Sequence, residues 1–259
     1  MYTDTHCHLE MLEGELPHAI VERANAAEVD TLLTVGVDLA SSAECVHTAG
    51  SIRGVWAVIG IHPHNAIEAT TGVLDRLAQL ARHPRVVGIG ETGLDYYRDH
   101  SPRALQDSAF RSQIDMAKKV GKTLVIHCRD AHDDVLTVLE REGAPDKVVF
   151  HCFSGDVEVV DRCSANGWFM SFSGTVTFTN APELRAAAAH APVELLLTET
   201  DSPYLSPHPH RGETNEPARV TYVTATLAEL HGMSERQMAQ LTSANARRAF
   251  DLPAQHGSP

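Results

Sequence analysis

The feature that most limits what this chain can fold into is its rhythm. Short apolar runs alternate with helix-patterned stretches at a spacing of roughly thirty residues. Strands are expected at Tyr2–His6, Asp30–Val35, Val55–Gly60, Val86–Gly90, Thr123–His127, Val148–His151, Trp168–Phe172 and Glu194–Thr198. Continuously apolar strands belong to a parallel sheet covered on both faces. Eight strand–helix alternations therefore predict an α/β fold, a single (β/α)8 TIM barrel with its active site at the C-terminal ends of the strands. A chain of 259 residues is an ordinary length for one such barrel. No Pro-, Gly- or Ser-rich linker divides it, so residues 1–253 read as one barrel domain and 254–259 as a flexible C-terminal tail.

Between the strands the helical pattern is clearest after Pro102, where Phe110, Ile114 and Ala117 share one face. Ser101 is expected to cap that helix, with Pro102 in its first turn. Helices over Asn215–His231 and Glu235–Phe250 close the chain. The stretch from Ser202 to Pro217, rich in Pro and polar residues, follows the eighth strand and is expected to lie over the mouth.

A barrel gathers residues that are distant in sequence, because all its strands end at one mouth. Six such residues stand out: His6, His8, Glu91, His127, His151 and Asp201. In Asp4-Thr5-His6-Cys7-His8 side-chain alternation sends His6 and His8 one way and Cys7 the other. Cys7, Cys128 and Cys152 are accordingly expected to face the helical layer as buried thiols. Glu91 is a carboxylate at the end of the fourth strand, flanked by glycines, and its two oxygens can bridge two cations. His127 and His151 close apolar strands. Asp201 can ligate a metal or accept a proton from a metal-activated water, and Glu199, on the same side, can brace a histidine ligand. Four imidazoles and two carboxylates suit two divalent metal ions, with Mg, Mn and Zn all compatible. Two such ions outweigh the two carboxylates, so an acidic protein can still receive an anion at this spot. Arg129, at the fifth strand's end, can hold a phosphate or carboxylate through parallel hydrogen bonds.

Other readings of the same residues are weaker. Gly88-Ile89-Gly90-Glu91-Thr92-Gly93 matches the dinucleotide-binding pattern, but that pattern needs a helix opening at once from the glycines. Here Leu94 to Arg98 intervene and the helix waits for Pro102. A nucleophile turn Gly-x-Ser-x-Gly, a His-Glu-x-x-His pair, a phosphate loop and a Cys-x-x-Cys pair are all absent.

Composition narrows the setting. A net charge of −13 excludes a broad basic surface for nucleic acid, so any anion site must be local. The five cysteines are an odd number, and three adjoin histidines, so a reducing cytoplasm is expected rather than a disulfide framework. The N-terminus carries no basic segment with an apolar core, and no apolar run is long enough for a membrane. With aromatic residues at 5%, base-specific stacking on nucleic acid is not expected.

The motifs resemble the TatD family of metal-dependent deoxyribonucleases, within the amidohydrolase superfamily. The likeness is carried by Asp4-Thr5-His6-Cys7-His8-Leu9, Gly60-Ile61-His62-Pro63-His64, Gly90-Glu91-Thr92-Gly93-Leu94-Asp95-Tyr96-Tyr97-Arg98, Ile126-His127-Cys128-Arg129-Asp130-Ala131 and His151-Cys152-Phe153-Ser154-Gly155. Downstream it continues through Glu199-Thr200-Asp201-Ser202-Pro203-Tyr204-Leu205 and Arg211-Gly212 with Asn215-Glu216-Pro217. It implies a (β/α)8 barrel, a two-metal site at the six residues above, and hydrolysis of phosphodiester bonds in DNA, often as a 3′ exonuclease. Glu10 stands where the family usually has Asp, and Glu213-Thr214 where it commonly has a basic pair.

The expectation is a cytoplasmic metal-dependent hydrolase whose substrate is nucleic acid, as single strands or 3′ ends. No membrane and no obligate protein partner are inferred. Asp201 and Glu91 are the expected catalytic residues, with Arg129, Tyr204, Arg211, His62 and His64 as substrate contacts. The alternatives are hydrolysis of a small-molecule C–N or ester bond and, more remotely, a non-catalytic metal-binding interaction module.

Overall fold

The structure, a computed structural model, describes residues 1–12 and 14–253. Its strands are β1 (Tyr2–Cys7), β2 (Val29–Val35), β3 (Val55–Ile59), β4 (Val86–Asp95), β5 (Thr123–Arg129), β6 (Val148–Phe150), β7 (Phe169–Phe172) and β8 (Leu196–Thr198). They form one eight-stranded sheet in sequence order, each paired in parallel with the next. The helices are α1 (Pro17–Ala26), α2 (Leu39–Ser51), α3 (Thr71–Leu80), α4 (Arg103–Val120), α5 (His132–Glu142), α6 (Val157–Ala165), α7 (Pro182–His190), α8 (Val220–Leu230) and α9 (Glu235–Phe250). The chain is thus a (β/α)8 barrel. The tail expected at 254–259 lies outside the described residues. None of the helices among the described residues is long and apolar enough to cross a membrane.

Alternation along the strands divides the apolar residues into two layers. Leu33, Val58, Val87, Val125, Val149 and Leu197 pack together inside the barrel, where Ala246, Ala249 and Phe250 of α9 join them. The residues of opposite parity, such as Leu32, Ile59, Val86, Ile126 and Phe150, pack beneath the helices. Each fully buried side chain of this size contributes about 1.5–3 kcal/mol, and only β1, with buried Thr3, Asp4 and Thr5, adds nothing to the inner apolar layer.

The seam between β1 and β8 is closed mainly by hydroxyls and by the chain beyond β8. Thr5 Oγ1 donates to the Thr198 carbonyl at 3.1 Å, and Thr198 Oγ1 donates to that of Thr3 at 3.2 Å. Higher up, the Asp201 N–H donates to His6 O at 2.9 Å and the His8 N–H to Ser202 O at 2.7 Å. These bonds draw Asp201 against His6 and His8.

Helix α4 presents more than the expected apolar face. Two buried glutamines, seven residues apart on that face, satisfy backbone groups where strands leave the barrel. Gln106 accepts from the Asp95 N–H at 2.8 Å and donates to the Ser101 carbonyl at 2.8 Å. Gln113 accepts from the Ile61 N–H at 2.8 Å and donates to Ile61 O and to Thr92 Oγ1.

Three local expectations are corrected. Ser101 does not cap α4; its hydroxyl donates to the His64 carbonyl at 2.7 Å, and Pro102 occupies the cap position. The helix expected from Asn215 begins as a short 3₁₀ turn, Pro217–Arg219, and becomes α-helical at Val220. Strand β8 is shorter than expected, because Val193–Leu195 form a 3₁₀ turn.

Candidate metal centre

Glu91 does not end its strand, as expected, but sits in the middle of β4, which runs on to Asp95. The pairing with β5 explains how it still reaches the interior. Ile89 is opposite Leu124, yet Thr92 is opposite Ile126, so β4 holds one extra residue between them. Such a bulge re-aims a side chain. It also demands glycine nearby: a Cβ on Gly90 would lie 2.3 Å from the Val125 carbonyl, and one on Gly93 2.1 Å from that of His127. His127 too lies within its strand, two residues before the end of β5.

The structure brings all six residues together around the Glu91 carboxylate. Oε1 lies 3.5 Å from His6 Nε2 and 3.5 Å from His8 Nε2, and Asp201 Oδ1 is 3.8 and 3.5 Å from the same two nitrogens. Oε2 faces the other way, 3.2 Å from His127 Nδ1 and 2.7 Å from His151 Nε2. His62 is a further neighbour on that side, with Nε2 at 3.7 Å from Oε2 and 3.3 Å from His127 Nδ1.

Unpaired atoms test whether this arrangement suits a cation. Both ring nitrogens of His6 are buried without a hydrogen-bond partner, as are His151 Nδ1 and Glu199 Oε2. Burying a polar atom unpaired costs about 1–3 kcal/mol, a cost that coordination would remove for His6 Nε2, which faces Glu91 and Asp201. His8 Nδ1 lies 2.8 Å from the Val35 carbonyl. A carbonyl only accepts, so that nitrogen carries the hydrogen and leaves Nε2 as the atom turned to the centre. His6, His8 and Asp201 offer ligand atoms within 4.8 Å of one another, and so do His62, Glu91 and His127. The residues present fit divalent metal.

The electrostatics agree. Burial works against an ionised Glu91, but the imidazoles of His151, His62 and His6 hold it well below the usual carboxylate range. Asp201 is held down by the hydrogen bond from His8, again against burial. Burial alone would lower His8, yet Asp201 and Glu91 carry it up to about 9. His62, by contrast, is driven well below its ordinary value by burial. Both carboxylates are therefore ionised at neutral pH, and buried anions of this kind need cationic partners.

Asp95 is the residue sequence reasoning quoted but gave no part. Its buried Oδ2 lies 3.1 Å from His127 Nε2 and 2.9 Å from His64 Nε2, while Oδ1 accepts from the N–H groups of Tyr97 and Arg98. The signal was available in the carboxylate four residues after Glu91, but β4 was expected to stop at Gly90. A carboxylate that orients a ligating histidine typically supports 10–100-fold in metal affinity. Asp95→Asn is expected to weaken uptake of divalent metal by about that factor while the fold persists, read by competition with a chelator.

Glu199 reaches the centre from behind: Oε1 is 3.4 Å from His151 Nδ1 and accepts from the Cys152 N–H at 2.7 Å. Cys152 itself corrects an expectation. Cys7 and Cys128 pack in the helical layer, but Cys152 adopts a left-handed backbone with φ of 42°, and its thiol meets Ser173 Oγ at 3.3 Å. Alternation does not extend past the end of β6. All five cysteines are free thiols.

Among the expected substrate contacts, His62 lies in the centre itself and His64 on Asp95. Arg129 stacks on Tyr97 at 3.9 Å, Tyr204 meets the His8 ring edge-on at 6.2 Å, and Arg211 covers Phe178 at 3.9 Å. The loop from Ser202 is pinned by buried Asn215, whose Nδ2 donates to the carbonyls of Thr200 and Tyr204. Glu213, at the position where a basic residue is common, does not add a free negative charge. Its Oε2 accepts from Arg219 at 2.6 Å and lies 3.2 Å from His210 Nδ1.

A parallel (β/α)8 barrel with a histidine–carboxylate cluster at its mouth is the class that fold and site define. The sequence matches the family described as TatD related DNase over residues 3–251, and the chain belongs to that family. A Mycobacterium tuberculosis protein named as an uncharacterized metal-dependent hydrolase TatD is 44% identical over 257 residues, covering 96% of this chain and 97% of its own. A Klebsiella pneumoniae protein named 3′-5′ ssDNA/RNA exonuclease TatD is 35% identical over 240 residues, covering 90% of this chain and 91% of its own. The crystal structure of YjjV, a TatD homologue from Escherichia coli K12, superposes with a TM-score of 0.92 at 28% identity, covering 97% of this chain and 98% of the other.

Proposed function

We propose that the protein is a metal-dependent phosphodiesterase acting on nucleic acid, a 3′–5′ exonuclease of single strands or frayed ends. The observation that carries the reading is the division of the Glu91 carboxylate, one oxygen toward His6 and His8, the other toward His127 and His151. His6, His8 and Asp201 would hold one divalent ion, His127 and His151 a second, with Glu91 between them. Four imidazoles favour zinc over magnesium or manganese. When bound, such ions polarise a phosphoryl oxygen and supply an activated water near neutral pH.

The chain's own groups do the rest. Asp201 and His127 are the most exposed of the six, with side chains 14% and 17% accessible, so substrate enters over them. Asp201 Oδ1, kept ionised by His8, is the acceptor for the proton of the attacking water. Arg129, two residues beyond His127, supplies the guanidinium for a phosphate of the strand. The name of the Klebsiella relative supports the same substrate class.

The test is a substrate panel offered to the metal-loaded protein: oligonucleotides labelled at either end, simple phosphodiesters, amides and lactones. Stepwise shortening from the 3′ end of single strands is expected. Turnover of amides or lactones alone would sink the reading.

A further inference from the structure

The two tyrosines after Asp95 have opposite surroundings. Tyr96 is engaged: its hydroxyl donates to Asp134 at 2.8 Å and Arg103 covers its ring at 3.9 Å. Tyr97 remains 58% exposed, and its hydroxyl has no hydrogen bond among the described residues. Arg129 lies 3.9 Å from the Tyr97 ring centroid and Arg98 5.7 Å from it. Neither guanidinium makes an ion pair among the described residues, so their donors stay available to an anion.

The position of this ring is tied to the metal centre through one side chain. Asp95 accepts the Tyr97 N–H at 3.0 Å with Oδ1 and faces His127 Nε2 at 3.1 Å with Oδ2. Asp95 is also paired across the sheet with Arg129, and the Tyr96 N–H donates to the Arg129 carbonyl at 3.0 Å. Along β5, Arg129 stands about 6.6 Å beyond His127 at the usual rise per residue.

The geometry points to a base-stacking subsite on Tyr97, flanked by Arg129 and Arg98, that holds an unpaired nucleotide beside the bond being cut. This rests on the phosphodiesterase reading above. Arg129 covers part of the Tyr97 ring, so the base stacks on the exposed remainder. An aromatic surface accepts any base and the two guanidinium groups meet the flanking phosphates, so the subsite selects for unpaired strands and not for sequence. A base inside a duplex has no free face to offer. In a chain of net charge −13 the anion is met by two local cations rather than by a basic surface.

The experiment uses the metal-loaded full chain and a single strand with phosphorothioate linkages against cleavage and 2-aminopurine at its 3′ end. Binding is expected to quench the fluorophore. Tyr97→Ala is expected to abolish the quenching and weaken binding roughly 5- to 150-fold, the range for loss of one stacked base. Tyr97→Phe keeps both, and a strand with an abasic 3′ end binds wild type and Tyr97→Ala equally. Unchanged affinity and quenching in Tyr97→Ala would overturn the subsite. Cleavage of ordinary oligonucleotides separates the two claims. A wild type that binds through Tyr97 but cuts no phosphodiester overturns the activity alone. One that cuts them with the same KM after Tyr97→Ala overturns the subsite alone.

Discussion

Glu91→Ala is expected to lower phosphodiester hydrolysis by about 10³-fold or more, because metal ions supply several kcal/mol of transition-state stabilisation and each 1.36 kcal/mol is tenfold in rate. The two oxygens of Glu91 face the two halves of the centre. Oε1 lies within 3.5 Å of His6 and His8, and Oε2 within 3.2 Å of His127 and His151. Its removal leaves four imidazoles without the anion that offsets a pair of dications. Glu91→Gln keeps the shape and loses the charge, so it should fall nearly as far. The measurement is kcat/KM at saturating metal, with thermal melting to show that the barrel persists. Activity within tenfold of wild type in either variant would remove Glu91 from the centre of the mechanism.

Gly93→Ala is expected to be strongly damaging to the fold. Gly93 has φ of 143°, and its added Cβ would sit 2.1 Å from the carbonyl of His127, its partner across the β4–β5 ladder. Backbone strain at such a φ costs about 1–3 kcal/mol, and forced displacement of packed atoms a similar amount. Together they amount to about 2–6 kcal/mol. At about 2–4 °C per kcal/mol the melting temperature should fall by about 4–24 °C. Metal affinity should fall with it, since the displaced strand carries His127. Gly72→Ala is the control: nothing lies within 4 Å of its added Cβ, it sits within α3, and alanine there should be neutral or stabilising.

The barrel and the six converging residues were legible because both follow from simple periodicities. Apolar runs of four to seven residues can only be buried strands here, and a polar residue closing such a run marks the mouth. What escaped lies where those periodicities break. The bulge at Gly90 and Glu91 shifts parity within β4, so the strand's last five residues, Asp95 among them, looked like a loop. Cys152 leaves the pattern by turning left-handed, which carries its thiol to Ser173. Gln106 and Gln113 look like surface residues of an amphipathic helix, and only the unsatisfied backbone groups they meet explain their burial. His62 and His64 follow a strand that its apolar run predicts, but their distances to His127 and Asp95 depend on how β3 and β4 close on one another.

The function proposed requires a pair of cations held jointly by residues from both ends of the chain. Elemental analysis of protein purified without chelator and equilibrated with zinc or manganese tests it most directly. Two ions per chain are predicted, with Glu91→Ala losing both together. A well-folded wild type that takes up no divalent metal, or a Glu91→Ala variant that keeps both ions, would contradict it.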